Sequence, residues 1–198
     1  MIVPARAVSA AAVLGAVLVV AGTVHLLYGL AAEGIAREAL ALEWRRMAAV
    51  LPPVLQGRPA QAQAIGPDRP PWLRQLFRVG EPGAPARAWV IRALTPSCYV
   101  DRVDFAIAVD AAGTVLGVAV LAHAETPGVG GRVAGPAGRA WRESFAGRAL
   151  STAQSARWAL RGEGGRIDAL AGATTTSACI VDGTRRALQW FAGRERAG

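Results

Sequence analysis

Two short segments carry residue types that could do chemistry. The first is Asp168-Ala169-Leu170-Ala171-Gly172-Ala173-Thr174-Thr175-Thr176-Ser177. Gly172 and Ala173 let the backbone approach a ligand closely, and the run of hydroxyls from Thr174 to Ser177 then opens a stretch with helical spacing. A helix N-terminus presents unpaired N–H groups and the positive end of the macrodipole, which suits a phosphate. A hydroxyl there can also carry that phosphate as an ester. By residue type alone, Thr175 to Ser177 is most simply an N-cap cluster. The second segment is His123-Ala124-Glu125-Thr126-Pro127-Gly128-Val129-Gly130-Gly131-Arg132, directly after a strand-like run. Its backbone N–H groups and glycines can form a nest for an anion or the polar edge of a ring. It is not a dinucleotide fingerprint, because G-x-G-x-x-G requires glycine at Val133, and no βαβ unit follows. Nor is it a P-loop, since no Gly-Lys-Ser/Thr occurs.

These segments need a scaffold, and the chain supplies one. Ala88 to Leu94, Val103 to Val109 and Thr114 to Ala122 read as strands, the last two joined by the turn Asp110-Ala111-Ala112-Gly113. Glu125 to Gly138 reads as a loop, with His123 at a strand end on the surface. Arg139 to Phe145 reads as one or two helical turns. From Thr175 to Phe191, apolar residues recur at helical spacing, and Gly193 is expected to end that helix. Residues 51 to 86 are rich in Pro, Gly and Gln and read as irregular chain around a short amphipathic piece, Trp72 to Phe77. The fold class expected is α+β: an antiparallel sheet with flanking helices.

Ahead of this lies an uncharged stretch, Ala7 to Ala32. A bilayer core of roughly 30 Å needs about 20 apolar residues in a helix, and the stretch provides them. Arg6 precedes it and Glu33 is the first charge after it, so the positive-inside bias puts the N-terminus in the cytoplasm and the remainder outside. A cleaved signal peptide is the rival, with Gly29-Leu30-Ala31 as its small-residue site. The run is longer than a typical signal-peptide core, which favours an anchor. His25 and Tyr28 lie within the span and are assigned to helix packing or interface contact. Apolar positions Ile35, Leu40, Leu42, Met47 and Val50 extend the anchor as an amphipathic helix that Pro52 and Pro53 stop. The organisation expected is therefore 1–6 cytoplasmic, 7–32 membrane helix, 33–86 amphipathic helix and irregular connector, and 87–198 extracytosolic domain.

Composition narrows the classes further. The chain is 53% hydrophobic and 18% charged, too apolar for a disordered protein. Its formal charge of +8 comes from scattered arginines with no lysine at all. No basic run is interleaved with aromatics, so nucleic acid is not the expected partner. The surface is solvated, or offers a docking face to an acidic partner or lipid headgroups. The two cysteines, Cys98 and Cys179, stand in no C-x-x-C or Cys/His cluster, which argues against zinc or iron–sulfur ligation. They are either one disulfide in an oxidising compartment or two small buried residues.

Together the two segments carry a family resemblance. Glu125-Thr126-Pro127-Gly128-Val129-Gly130 resembles the E-T-P-G-[LI]-G loop of the FMN-binding subunits of membrane redox pumps. These are the G subunit of the Rnf complex and, more distantly, the C subunit of the sodium-translocating NADH:quinone oxidoreductase. Trp141 to Gly147 resembles the aromatic segment that follows there, and Asp168 to Thr174 resembles the D-x-x-[ST]-G-A-T flavinylation motif. Ala171 stands where the family has Ser or Thr. Cys98-Tyr99-Val100-Asp101 stands where it has Gly-Tyr-x-Gly, and Val129 replaces Leu or Ile.

The resemblance implies an electron-transfer subunit of a membrane-bound, ion-translocating ferredoxin:NAD oxidoreductase. It implies FMN bound covalently through a phosphoester to Thr174, attached by a flavin transferase that reads Asp168. It further implies a second flavin subunit and intramembrane iron–sulfur subunits as partners, and a single-pass location in the bacterial inner membrane with the FMN domain periplasmic. Glu125 and Thr126 are expected at the isoalloxazine ring. Gly172, Ala173, Thr175, Thr176 and Ser177 are expected near the phosphate, and Arg132 faces either the phosphate or solvent. Trp141 and Phe145 are expected in the core. No catalytic acid, base, nucleophile or metal ligand is assigned. Two alternatives stay open: a flavin carrier of another extracytosolic pathway, and a non-redox assembly or ligand-binding protein that has lost the flavin.

Overall fold

The computed structural model describes residues 10–96, 98–150 and 158–197. The chain divides into two compact units, Met1–Glu43 and Trp44–Gly198. Helix α1, Ala10–Ala48, is a single helix of 39 residues. Its candidate span has a mean hydropathy of 2.1 and is long and apolar enough to cross a membrane. Leu18, Val19, Leu26 and Leu30 all lie on its exposed surface. The Thr23 hydroxyl donates back to the Val19 carbonyl at 2.8 Å, so this polar group is satisfied within the helix. The helix continues past Ala32 as the sequence predicts. The apolar face expected beyond it stays uncovered at Ile35, Leu40 and Leu42, whereas Met47, Val50 and Leu51 are buried. The turn after Ala48 leads into Pro52, and Pro53 opens a one-turn helix, α2 (Pro53–Gln56).

The second unit is built on a five-stranded antiparallel meander in sequence order: β1 (Ala60–Ala62), β2 (Leu73–Val79), β3 (Ala88–Leu94), β4 (Asp104–Val109) and β5 (Val115–Ala122). Strands β3 to β5 and the hairpin match the sequence expectation. Asp110 Oδ1 accepts from the Ala112 and Thr114 amides and so shapes the turn. Strands β1 and β2 correct the expectation of irregular chain before residue 87. The stretch Trp72–Phe77 reads as an amphipathic piece because a register irregularity between Leu73 and Gln75 breaks its period-2 alternation.

Alternate residues of the central strands serve opposite faces. Ile91, Phe105, Ile107 and Val109 pack in one core with Ile180, Val181, Leu188 and Phe191 of helix α4 (Thr174–Ala197). Val90, Ala106, Ala108 and Phe77 pack on the other face with Met47, Val50 and Leu51. The Trp44 and Phe77 rings meet there at 5.2 Å. Between β5 and α4 the chain makes 3-10 turns at Gly130–Val133 and Pro136–Gly138, then the short helix α3 (Arg139–Glu143). A further 3-10 turn lies at Arg161–Glu163. Gly193 does not end α4, which runs on to Ala197. One interior glycine costs a helix only about 1 kcal/mol, and beyond it the Arg194 guanidinium lies 4.9 Å from the centre of the Trp89 ring. The architecture is α+β.

Candidate functional site at the start of the last helix

Helix α4 starts at Thr174, so the residue at its N-cap is Ala173. Alanine cannot accept a hydrogen bond through its side chain and is a poor N-cap by about 0.5–2 kcal/mol. The hydroxyl run therefore does not cap the helix as its composition suggests; it forms the first turn. The first helical hydrogen bond is from the Ser177 amide to the Ala173 carbonyl, at 2.8 Å. The amides of Thr174, Thr175 and Thr176 precede that bond at the positive end of the helix dipole.

The hydroxyls divide by direction. Thr174 and Thr175 are exposed, while Thr176 and Ser177 are buried. Ser177 Oγ accepts from the Leu170 amide at 3.1 Å, and the Ala173 amide donates to the Leu170 carbonyl at 2.9 Å. These bonds fold residues 170–173 into a tight approach to the helix. Gly172 sits there at φ +76°, a conformation that disfavours any side chain.

Two further side chains brace the segment from Asp168 to Ala173. Arg132 Nη1 donates to the Ala171 carbonyl at 2.5 Å, and a Cβ on Gly172 would come within 3.1 Å of that nitrogen. This places Arg132 at the motif. The contact uses the Ala171 main chain, so it does not require the Ser or Thr hydroxyl absent at this position. Trp141 is buried edge-on to Phe145, with ring centres 5.0 Å apart. Its indole N–H donates to the Asp168 carbonyl at 2.7 Å. Both aromatics are core residues, and Trp141 also supports the motif from beneath.

The Asp168 carboxylate is exposed and receives two hydrogen bonds from Arg161, at 2.6 and 3.2 Å. The Arg161 hydrogen bonds hold the Asp168 carboxyl below its ordinary range, and the same contact raises the Arg161 guanidinium. Arg161 has no signature in the sequence, where it is a single arginine in a Gly-rich turn. The indole contact has one: a buried Trp N–H requires an acceptor.

Glu125 points into the protein rather than to solvent. It is 3% exposed. Its Oε1 accepts from the Val100 amide at 3.0 Å, and its Oε2 accepts from the Thr176 hydroxyl at 2.7 Å. Both carboxylate oxygens are thus engaged within the protein. Gly130 packs against this pair so closely that a Cβ there would fall 2.3 Å from Glu125 Oε2 and 2.7 Å from Thr176 Oγ1. Thr126 is exposed, and its carbonyl accepts from the Val129 and Gly131 amides, closing the turn that Gly128 makes. His123 is half-buried, with its ring against Gly131, rather than a surface residue.

The two cysteines form a disulfide, Cys98–Cys179, with Cα atoms 5.7 Å apart. It joins the chain just before Tyr99 and Val100 to α4 three residues beyond Thr176. Tyr99, Val100 and Val129 are exposed beside the Glu125 contacts. A groove of about 780 Å³ lies elsewhere, between residues 49–53, β5 and α3. It shares no residue with 123–132 or 168–177, so the Thr174 hydroxyl is not mounted inside it.

Residues 99–189 match the model of the FMN-binding domain family. The G subunit of the ion-translocating oxidoreductase complex of Pseudomonas aeruginosa is 39% identical over 112 residues, covering 56% of this chain and 52% of that protein. The corresponding subunit of Shewanella loihica is 34% identical, covering 66% of this chain and 59% of that protein. That of Escherichia coli O157:H7 is 37% identical, covering 50% of this chain and 48% of that protein. The chain thus spans about half the length of the curated relatives it matches. The crystal structure of Shewanella oneidensis NqrC superposes with a TM-score of 0.50 at 23% identity, covering 63% of this chain and 61% of that one, which supports the fold. Over residues 99–189 the chain matches the FMN-binding domain family, and it is a homologue of the G subunits of ion-translocating oxidoreductase complexes.

Proposed function

We propose that the protein is an electron-transfer subunit of a membrane-bound, ion-translocating oxidoreductase complex, with FMN held as a phosphoester on Thr174. The observation that carries this reading is the first turn of α4. An exposed threonine hydroxyl stands beside the Thr174–Thr176 amides, behind an alanine N-cap that leaves capping to an outside group. Those donors fit a phosphate, and Arg132 brings a guanidinium to the neighbouring loop. In the ester, Thr174 Oγ1 gives up its proton and bonds to the flavin's phosphorus, as the P–O–P bond of a flavin dinucleotide donor breaks and a nucleoside monophosphate leaves. When bound, FMN supplies one- and two-electron transfer, and the protein contributes attachment, orientation and electrostatics.

An open surface cannot bury most of a ligand as a cleft does, so a covalent tether suits an exposed hydroxyl. Asp168, paired with Arg161, is the carboxylate offered to the flavin transferase. Thr175 lies beside the phosphate. Thr176 and Ser177 hold the turn from within, and Gly172 and Ala173 keep the approach open. Thr126 closes the turn after Glu125, at the rim. The partners are the other subunits of the complex, among them a second flavin subunit and intramembrane iron–sulfur subunits.

The N-terminal helix anchors the chain in the inner membrane with its start in the cytoplasm, and the domain from residue 87 onward works outside. The Cys98–Cys179 bond supports that side, because disulfides persist in oxidising compartments.

The test is to express the full chain with a flavin transferase, denature it, and read in-gel flavin fluorescence. Wild type and Thr175→Val are expected to fluoresce, and Thr174→Val is expected to be dark. Fluorescence persisting in Thr174→Val would move the attachment to another residue.

A further inference from the structure

Two links cross the same seam between the chain at residues 98–100 and the start of α4. One is polar: Val100 N–H to Glu125 Oε1 at 3.0 Å, and Thr176 O–H to Glu125 Oε2 at 2.7 Å. The other is covalent, Cys98 to Cys179. Thr176 and Cys179 are three residues apart on one helix and so share a face. Cys98 and Val100 are two residues apart on the facing chain. Thr174, the proposed acceptor, lies one helical half-turn ahead of the polar link.

The polar link is an unusual choice for simple packing. A buried carboxylate is costly to desolvate, yet the two groups that donate to Glu125, a backbone amide and a hydroxyl, are both neutral. The Gly130 backbone lies so close that a Cβ there would fall 2.3 Å from Glu125 Oε2. The carboxylate is held through both oxygens, and it ties its two partners together.

We propose that Glu125 is a positioning residue for the Thr174 hydroxyl: its carboxylate sets the first turn of α4 against the Tyr99–Val100 segment, and the Cys98–Cys179 disulfide braces the same seam covalently. This rests on the reading of Thr174 as the flavin acceptor. Tyr99, which is exposed, lies in sequence between the two residues that these links hold, Cys98 and Val100. Opening the seam frees the first turn of α4 to fray, which misorients the acceptor hydroxyl without removing it. The covalent brace limits how far the seam can open, so the effect of losing the carboxylate grows when the disulfide is absent.

The experiment compares the full chain in detergent as wild type, Glu125→Gln, Glu125→Ala, Cys98→Ala/Cys179→Ala, and the last two combined. Amide hydrogen exchange at Val100 and at residues 174–177 is read on unflavinylated protein. The initial rate of FMN incorporation by the flavin transferase is read separately, by mass. Losing hydrogen bonds to a charged group predicts exchange at Val100 about tenfold faster or more in Glu125→Ala. Incorporation should slow by a similar factor, with Glu125→Gln recovering most of both and the combined variant worst in both. Unchanged exchange at Val100 in Glu125→Ala overturns the link. Faster exchange with unchanged incorporation overturns the positioning role, leaving Glu125 purely structural. If wild type takes no FMN at all, the acceptor reading and the positioning role fall together, while the exchange data alone still decide whether the seam is locked by Glu125.

Discussion

Gly130→Ala is the most informative single change to the scaffold of this site. The added methyl would sit 2.3 Å from Glu125 Oε2 and 2.7 Å from Thr176 Oγ1, so either the carboxylate or the helix must move. A hydrogen bond to a charged group is worth about 1.5–3 kcal/mol, and overpacking a filled interior adds about 1–3 kcal/mol. The two costs overlap, because moving the carboxylate relieves the clash, so the expected loss is about 2–4 kcal/mol. At about 2–4 °C per kcal/mol for a chain of this length, the melting temperature should fall by about 5–15 °C.

The assay is thermal unfolding of the full chain in detergent, followed by circular dichroism and tryptophan fluorescence. Gly135→Ala is the control: it has ordinary backbone angles, and its added Cβ meets nothing within 4 Å. A melting temperature for Gly130→Ala equal to that of the control would refute the packing of Glu125 between Val100 and Thr176.

Other outcomes follow from the same contacts. Removing the Cys98–Cys179 bond, which closes a sequence separation of 81 residues, releases a loop whose closure is worth at most about 4–5 kcal/mol by chain entropy. Reduction, or Cys98→Ala/Cys179→Ala, should therefore lower the melting temperature by several degrees; non-reducing gel mobility that is unchanged by reductant would contradict the bond. The Asp168 carboxyl, held low by Arg161, should titrate below the ordinary value of about 3.9 when followed by carbon NMR, and Arg161→Ala should return it there. Because its pKa is lowered in the folded state, the stabilisation this pair provides is present above the ordinary carboxylate pKa and is lost as pH falls through the lowered one. The Arg161 pair should therefore leave stability unchanged between about pH 5 and pH 8. Gly172→Val, which must hold φ +76° beside Arg132, should cut covalent flavin yield several-fold with Thr174 intact, as read by in-gel fluorescence.

The central strands and the last helix are legible in the sequence because their residues repeat at a fixed period: Ile91, Phe105 and Ile107 on one side of the sheet, Val90, Ala106 and Ala108 on the other. Strand β2 is hidden because the irregularity at Leu73–Gln75 puts Leu73 and Leu76, three residues apart, in the same core, while the next residue, Phe77, is buried on the opposite face. Strand β1, with only Ala60 to Ala62, is too short to show a period. The acceptor motif is readable as a string, whereas its geometry is not. Nothing in Glu125-Thr126-Pro127-Gly128 reveals that the carboxylate turns inward to Thr176, since that depends on Gly130 packing against α4. Cysteines 81 residues apart carry no distance information, and only the fold brings their Cα atoms to 5.7 Å. Gly193 is a misleading stop signal for α4, because packing by Leu188 and Phe191 outweighs its modest cost.

The central claim is tested most directly by peptide mapping of the protein purified from its native membrane. After reduction and tryptic digestion, the peptide from Ile167 to Arg185 is predicted to carry the mass of one FMN less one water, with fragment ions assigning it to Thr174. Recovery of that peptide wholly unmodified from native membranes would contradict the account.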